Sequence, residues 1–160
     1  LRSEPCFKDF SICDEVTRRV KSYNLPINEQ GGDITQKLIM HEHIVNVFMH
    51  DDMITDRTVL DGVVYTHYLC HNIMTVSPEI MQFAEKVFKK VWPMYDYVFY
   101  IEPEFAIEND GVRSVDIEFR DAIAKLFHDM ITVRQLNVVP IKGSVRQRVN
   151  TVLSTIGEKL

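Results

Sequence analysis

A chain of 160 residues is one domain's worth, long enough to bury most of its apolar surface in a single core. Its net charge of −5 argues against broad attraction to nucleic acid or to an anionic membrane, and leaves room only for a local basic pocket. Cys6, Cys13 and Cys70 are scattered and form no CxxC pair, which points to a reducing, cytoplasmic setting, and no apolar run reaches the roughly eighteen residues of a membrane span.

Taken in chain order, residues 10–15 are a short apolar run ending in two acids, Asp14 and Glu15, as in a buried strand that turns into a helix. Residues 16–23 continue as a short basic helix, and Pro26 with the paired Gly31 and Gly32 marks a loop. Asp33-x-x-Gln36 is the pattern of a capping box opening an amphipathic helix through about Phe48. Residues 53–57 form a second strand ending in Asp56-Arg57; residues 58–74 read as helix, and Ser77-Pro78 opens another that runs to Trp92. Residues 95–101, aromatic and β-branched, are the clearest strand. A loop over 102–113 leads to a helix with Phe119, Ala122, Ile123, Leu126, Phe127 and Met130 at three-four spacing, then a strand over 137–141 and a helix opened by Ser144-x-x-Gln147.

Strands separated by crossovers this long imply a parallel sheet covered on both faces, with ligands beyond the carboxyl ends of the strands. Asp56 at such an end can orient a metal-bound water or take a proton from an attacking hydroxyl, and Arg57 can hold a phosphate oxygen; helix capping is the competing role for Asp56. Asp61 is set aside, because Thr58-x-x-Asp61 is itself a capping box. Glu15 and Arg18, one turn apart, can grip the hydroxyls of a sugar-like acceptor and a phosphate, or be a plain surface ion pair. Arg113, in a loop hinged at Gly111, suits a lid over a triphosphate, although Asn109-Asp110-Gly111 also reads as an exposed turn. Gly143 with Arg148 can hold a nucleobase, or simply serve the cap of the last helix. His41 and His43 point about 200° apart on a helix, so they cannot share a metal and read as surface or core residues. No G-x-x-x-x-G-K-[ST] occurs among the 160 residues.

Three early segments, Glu15-Val-Thr-Arg18, Leu25-Pro-Ile-Asn-Glu-Gln-Gly-Gly-Asp33 and Ile54-Thr-Asp-Arg-Thr-Val-Leu-Asp-Gly-Val-Val-Tyr65, resemble the NadR-like AAA-type ATPase/kinase domains, relatives of the ribosylnicotinamide kinase domain of bacterial NadR. Tyr95-Asp-Tyr-Val-Phe-Tyr-Ile-Glu-Pro-Glu104, Asp110-Gly-Val-Arg113 and Glu118-Phe-Arg120 continue the likeness, which spans Asp14 to the end of the chain. It implies a P-loop NTPase-type three-layer sandwich over residues 1–160, a single domain whose first strand and Walker A loop would precede Leu1. It also implies ATP and Mg²⁺, with Asp56 as base or Mg²⁺-water ligand and Arg113 as lid arginine. Glu15 and Arg18 would lie on the acceptor side, and Gly143 and Arg148 near the base. The expected function is phosphoryl transfer from ATP to a nucleoside-like or other small hydroxyl acceptor. The alternative is an NTPase switch without an acceptor. The partners are a nucleotide and a small molecule, not nucleic acid or membrane, and the sequence leaves the oligomeric state open. With the first strand missing, the strands at 53–57 and 95–101 should lie parallel, about 9–10 Å apart, with no ladder bonds between them.

Overall fold

The computed structural model describes residues 1, 4–102, 114 and 116–157. Four three-residue strands, β1 (Ser11–Cys13), β2 (Met53–Thr55), β3 (Phe99–Ile101) and β4 (Val139–Ile141), alternate with six helices. These are α1 (Val16–Ser22), α2 (Asp33–Met49), α3 (Val59–Tyr68), α4 (Pro78–Val91), α5 (Ile117–Val133) and α6 (Val145–Gly157). The expected single sheet is found as two parallel ladders. β1 pairs with β2, Cys13 opposite Thr55, and β3 pairs with β4, Ile101 opposite Ile141. Among the described residues β2 and β3 share no ladder.

The strand expected over 95–101 is shortened to Phe99–Ile101. Trp92–Met94 forms a 3₁₀ turn behind α4, and the Tyr95 hydroxyl accepts a hydrogen bond from the first amide of α3, Val59 N, at 3.3 Å. Tyr95 is thus spent on a helix terminus, where backbone N–H groups have no partner within the helix. At the start of α2 the expected capping box is absent. Gly32 is the N-cap, the Asp33 carboxylate accepts from Ser77 N at 2.6 Å, and Gln36 turns inward to accept from Thr66 Oγ1 at 3.0 Å. The other capping boxes form as read. Thr58 and Asp61 close the start of α3, and Ser144 and Gln147 the start of α6. α3 ends at Tyr68 in a π-helical turn, Leu69–Ile73, rather than continuing as α-helix to residue 74.

The helical core is centred on α3, whose Val59, Leu60, Val63 and Val64 are all within 3% of fully buried. Three helices supply its partners: Met40 on α2; Met81, Ala84, Val87, Phe88 and Val91 on α4; Phe119, Ile123 and Met130 on α5. The α4 residues recur at the three-four spacing that makes one apolar face. A second cluster, around Phe7, Ile141 and Val152, takes in Ile54 of β2 and Phe99 of β3, so both ladders rest on the same apolar floor. Val16, Val20 and Ile39 fasten α1 to α2.

Gly62 is where α2 and α3 approach each other, since a Cβ there would stand 2.4 Å from the Met40 sulfur and 3.5 Å from Ile39 Cγ2. Met40 is fully buried and has nowhere to retreat. Gly62→Val should therefore cost roughly 2–3 kcal/mol by urea denaturation, the scale of core overpacking. A variant as stable as wild type would show that the helices separate freely there.

Candidate functional site

The register of β1 and β2 builds the site. Asp56 N donates to Cys13 O at 3.2 Å, so Asp14-Glu15 and Asp56-Arg57 leave the two strands side by side at one rim. Past the ends of the strands the paired residues divide: Asp14 and Asp56 are exposed, while Glu15 is only 5% exposed and Arg57 turns inward.

The inward pair meets. Arg57 Nη2 lies 2.8 Å from Glu15 Oε1, and the other Glu15 oxygen accepts from Arg18 Nε at 3.1 Å. One buried carboxylate therefore spans two guanidinium groups. Glu15 is buried while the Arg18 side chain is 45% exposed, so of the two pairs the one with Arg57 is the better shielded from solvent. Arg57 has a backbone φ of 76°, in the left-handed region that a bulky residue occupies only under strain. Its side chain is compensated by a hydrogen bond with the Tyr65 hydroxyl and by the Asp61 carboxylate. Burial alone would lower the Arg57 pKa; Asp61, Tyr65, Glu15 and Asp56 together reverse this and raise it, so the guanidinium stays charged. Burial likewise lifts Asp61 and Tyr65 above their ordinary ranges, against the pull of Arg57 on both.

Two cavities flank this clasp. Outside lies an open cleft of about 460 Å³ lined by Asp14, Glu15, Arg18, Arg19, Ser22 and Asp56. Inside, behind Arg57, is a narrow cavity of about 20 Å³ bordered by Thr17, Gln36, His43, Asp61 and Tyr65 among others. That is room for roughly one water. His43 is 2% exposed and its Nδ1 has no protein hydrogen-bond partner. Burial, then the charges of Arg57 and Arg19, lower its pKa to about 3, so it is neutral.

The structure thus brings together Glu15, Arg18, Asp56 and Arg57 as read from the sequence, but with Arg57 held by Glu15 rather than facing the open cleft. Arg19, beside them, pairs with Glu42 at 2.6 Å. Gly143, at φ 84°, and Arg148, whose Nε donates to the Gly143 carbonyl at 2.8 Å, stand together beyond β4 and border neither cavity. Arg113 lies outside the described residues. His41 is exposed and His43 is core, as their positions on the helix implied. Sequence reading missed His43 and Tyr65 and stopped at the cap for Asp61. The i,i+4 spacing of Asp61 and Tyr65, which puts both on the face of α3 nearest Arg57, was the available signal.

A family profile described as AAA domain matches residues 12–148. The chain belongs to the AAA domain family. No curated protein and no solved structure matches it. The family places the chain among nucleotide-binding domains of the P-loop type, and the mixed α/β architecture with small parallel sheets is compatible with that fold. AAA domains of this type generally bind ATP with Mg²⁺. The rim acids Asp14 and Asp56 fit the cation, because Mg²⁺ is commonly held through one or two carboxylates with water and phosphate oxygens completing the shell. Among the described residues no three His, Cys, Asp or Glu side chains converge into a protein-only cage. No helix among them is long and apolar enough to cross a membrane.

Proposed function

We propose that this chain forms the body of an ATP-dependent phosphotransferase, in the manner of the NadR-like kinases, acting on a nucleoside-like or other small hydroxyl acceptor. The observation that carries the reading is the divided sheet. The ladders β1–β2 and β3–β4 are both parallel and share one apolar floor through Ile54 and Phe99, yet β2 and β3 exchange no hydrogen bonds among the described residues. Two-stranded ladders are marginal on their own, and each leaves an open edge that favours pairing with another strand. A fifth parallel strand between them, from outside these 160 residues, would pair both edges and complete a three-layer sandwich. Its carboxyl end would be a topological switch point, the place where open α/β sheets bind ligands.

In this arrangement the acceptor occupies the open cleft and Asp56 takes the proton of its hydroxyl. Mg²⁺ held at Asp14 and Asp56 would neutralise charge on the transferring group. Arg18 lines the cleft beside those acids with Arg57 behind it on Glu15, Arg113 serves as the lid arginine, and Gly143 with Arg148 borders the base. The three free cysteines suit a cytoplasmic setting.

One observation favours the rival switch reading: the narrow cavity beside the clasp is water-sized, so it cannot take an acceptor. Turnover separates the two. The full-length polypeptide with Mg²⁺ and ATP should release ADP only when a nucleoside or similar hydroxyl compound is added, with a phosphorylated product detected by mass spectrometry. Nucleotide binding with acceptor-independent turnover, across a broad panel, would establish the switch instead.

A further inference from the structure

We propose that Tyr65 and Asp61 are positioning residues that hold Arg57 so that the adjacent Asp56 stays aimed into the open cleft. The inference rests on the phosphotransferase reading for its catalytic consequence, though not for its geometry.

Asp56 is an exposed side chain on a rim, with a single backbone bond to Cys13 O fixing it from the β1 side. The next residue is in the left-handed region, a conformation that a non-glycine residue leaves unless its surroundings over-determine it. What over-determines Arg57 comes from two elements. Glu15, at the end of β1, grips Nη2 at 2.8 Å. On α3, Asp61 and Tyr65 stand one turn apart and border the same narrow cavity as Arg57, Tyr65 sharing a hydrogen bond with the guanidinium and Asp61 adding its charge. Asp61 is itself fixed, because its Oδ2 accepts from Thr58 N at 2.9 Å in the helix cap. The helix start and the strand end are thereby tied through one arginine. Tyr65 also borders the narrow cavity that His43 lines, while its ring packs edge-on against Phe119. A guanidinium held from two sides transmits its position to the backbone, and Asp56 is the residue directly attached.

The test uses the full-length polypeptide and three variants, Tyr65→Phe, Asp61→Asn and, as reference, Asp56→Asn. Tyr65→Phe removes one hydroxyl from a half-buried ring, and Asp61→Asn keeps an oxygen for the cap. Each should lower kcat roughly tenfold, the scale of one hydrogen bond to a charged group, while KM for ATP stays unchanged. A second readout does not depend on turnover. The Nε–Hε resonance of Arg57 in ¹⁵N spectra, assigned by its loss in Arg57→Lys, should be protected from exchange in wild type and broadened in Tyr65→Phe. Wild-type turnover in Tyr65→Phe beside a silenced Asp56→Asn would overturn the positioning role and leave the phosphotransferase intact. An active Asp56→Asn would overturn the functional reading, and the Arg57 resonance then decides alone: unchanged in Tyr65→Phe, it refutes the anchor.

Discussion

Asp56→Asn in the full-length polypeptide leaves folding intact and lowers turnover roughly 10²-fold or more, the usual scale for a lost acid–base group. The structure separates the two roles that the sequence allowed for this residue. Capping of α3 is carried by Thr58 and Asp61, with Thr58 N bonded to Asp61 Oδ2 at 2.9 Å and Leu60 N to Thr58 Oγ1 at 3.2 Å. Asp56 contributes no cap, stands exposed, and borders the open cleft with Asp14 and Glu15. Its loss should therefore be silent in thermal denaturation and severe in steady-state kinetics. Unchanged turnover at wild-type stability would remove Asp56 from the mechanism.

Acid should destabilise the fold from an unusually high pH, and His43 is the reason. Its folded pKa of about 3 lies below the ordinary value of 6.5, first through burial and then through Arg57 and Arg19. Between those two values the unfolded chain binds a proton that the native state refuses. Stability is full above pH 6.5 and is lost as pH falls, at up to about 1.4 kcal/mol per unit, or roughly 2 kcal/mol by pH 5. His67, lowered by burial and by His71, pushes the same way. Asp61, raised by burial, pushes the other way, its native form taking up a proton before the unfolded chain does. Urea denaturation of wild type and His43→Leu between pH 7.5 and 5 isolates the histidine, since only wild type carries its share of the slope. Parallel slopes would mean that His43 titrates normally in the fold.

The parts of the site written at strand ends were legible in the sequence. An apolar run closing on Asp14-Glu15 or Asp56-Arg57 announces a rim, and parallel register then places the two pairs together. What each member does there was not legible. Asp56 faces outward and Arg57 inward across a left-handed residue just past the end of β2, and nothing in the local sequence announces a positive φ at an arginine. Asp61 shows a related limit: its spacing from Thr58 identifies a cap, but nothing local tells that the same carboxylate faces a buried guanidinium. Gln36 fits a capping box by spacing and is drawn instead to Thr66, thirty residues on. His43 is a helix residue like His41 until α3 packs over it. Aromatic content over 95–101 signals strand throughout, whereas Tyr95 is claimed by the start of α3 and the strand begins only at Phe99.

The phosphotransferase reading stands on a parallel strand between β2 and β3. A crystal structure of the full-length polypeptide tests it most directly, through the hydrogen-bond partners of Met53–Thr55 on the edge away from β1 and of Phe99–Ile101 on the edge away from β4. The expected result is one added strand paired in parallel to both, leaving β2 and β3 about 9–10 Å apart, with a G-x-x-x-x-G-K-[ST] loop at its carboxyl end beside Asp56. Direct ladder bonds between β2 and β3 would contradict the P-loop topology and the phosphotransferase built on it.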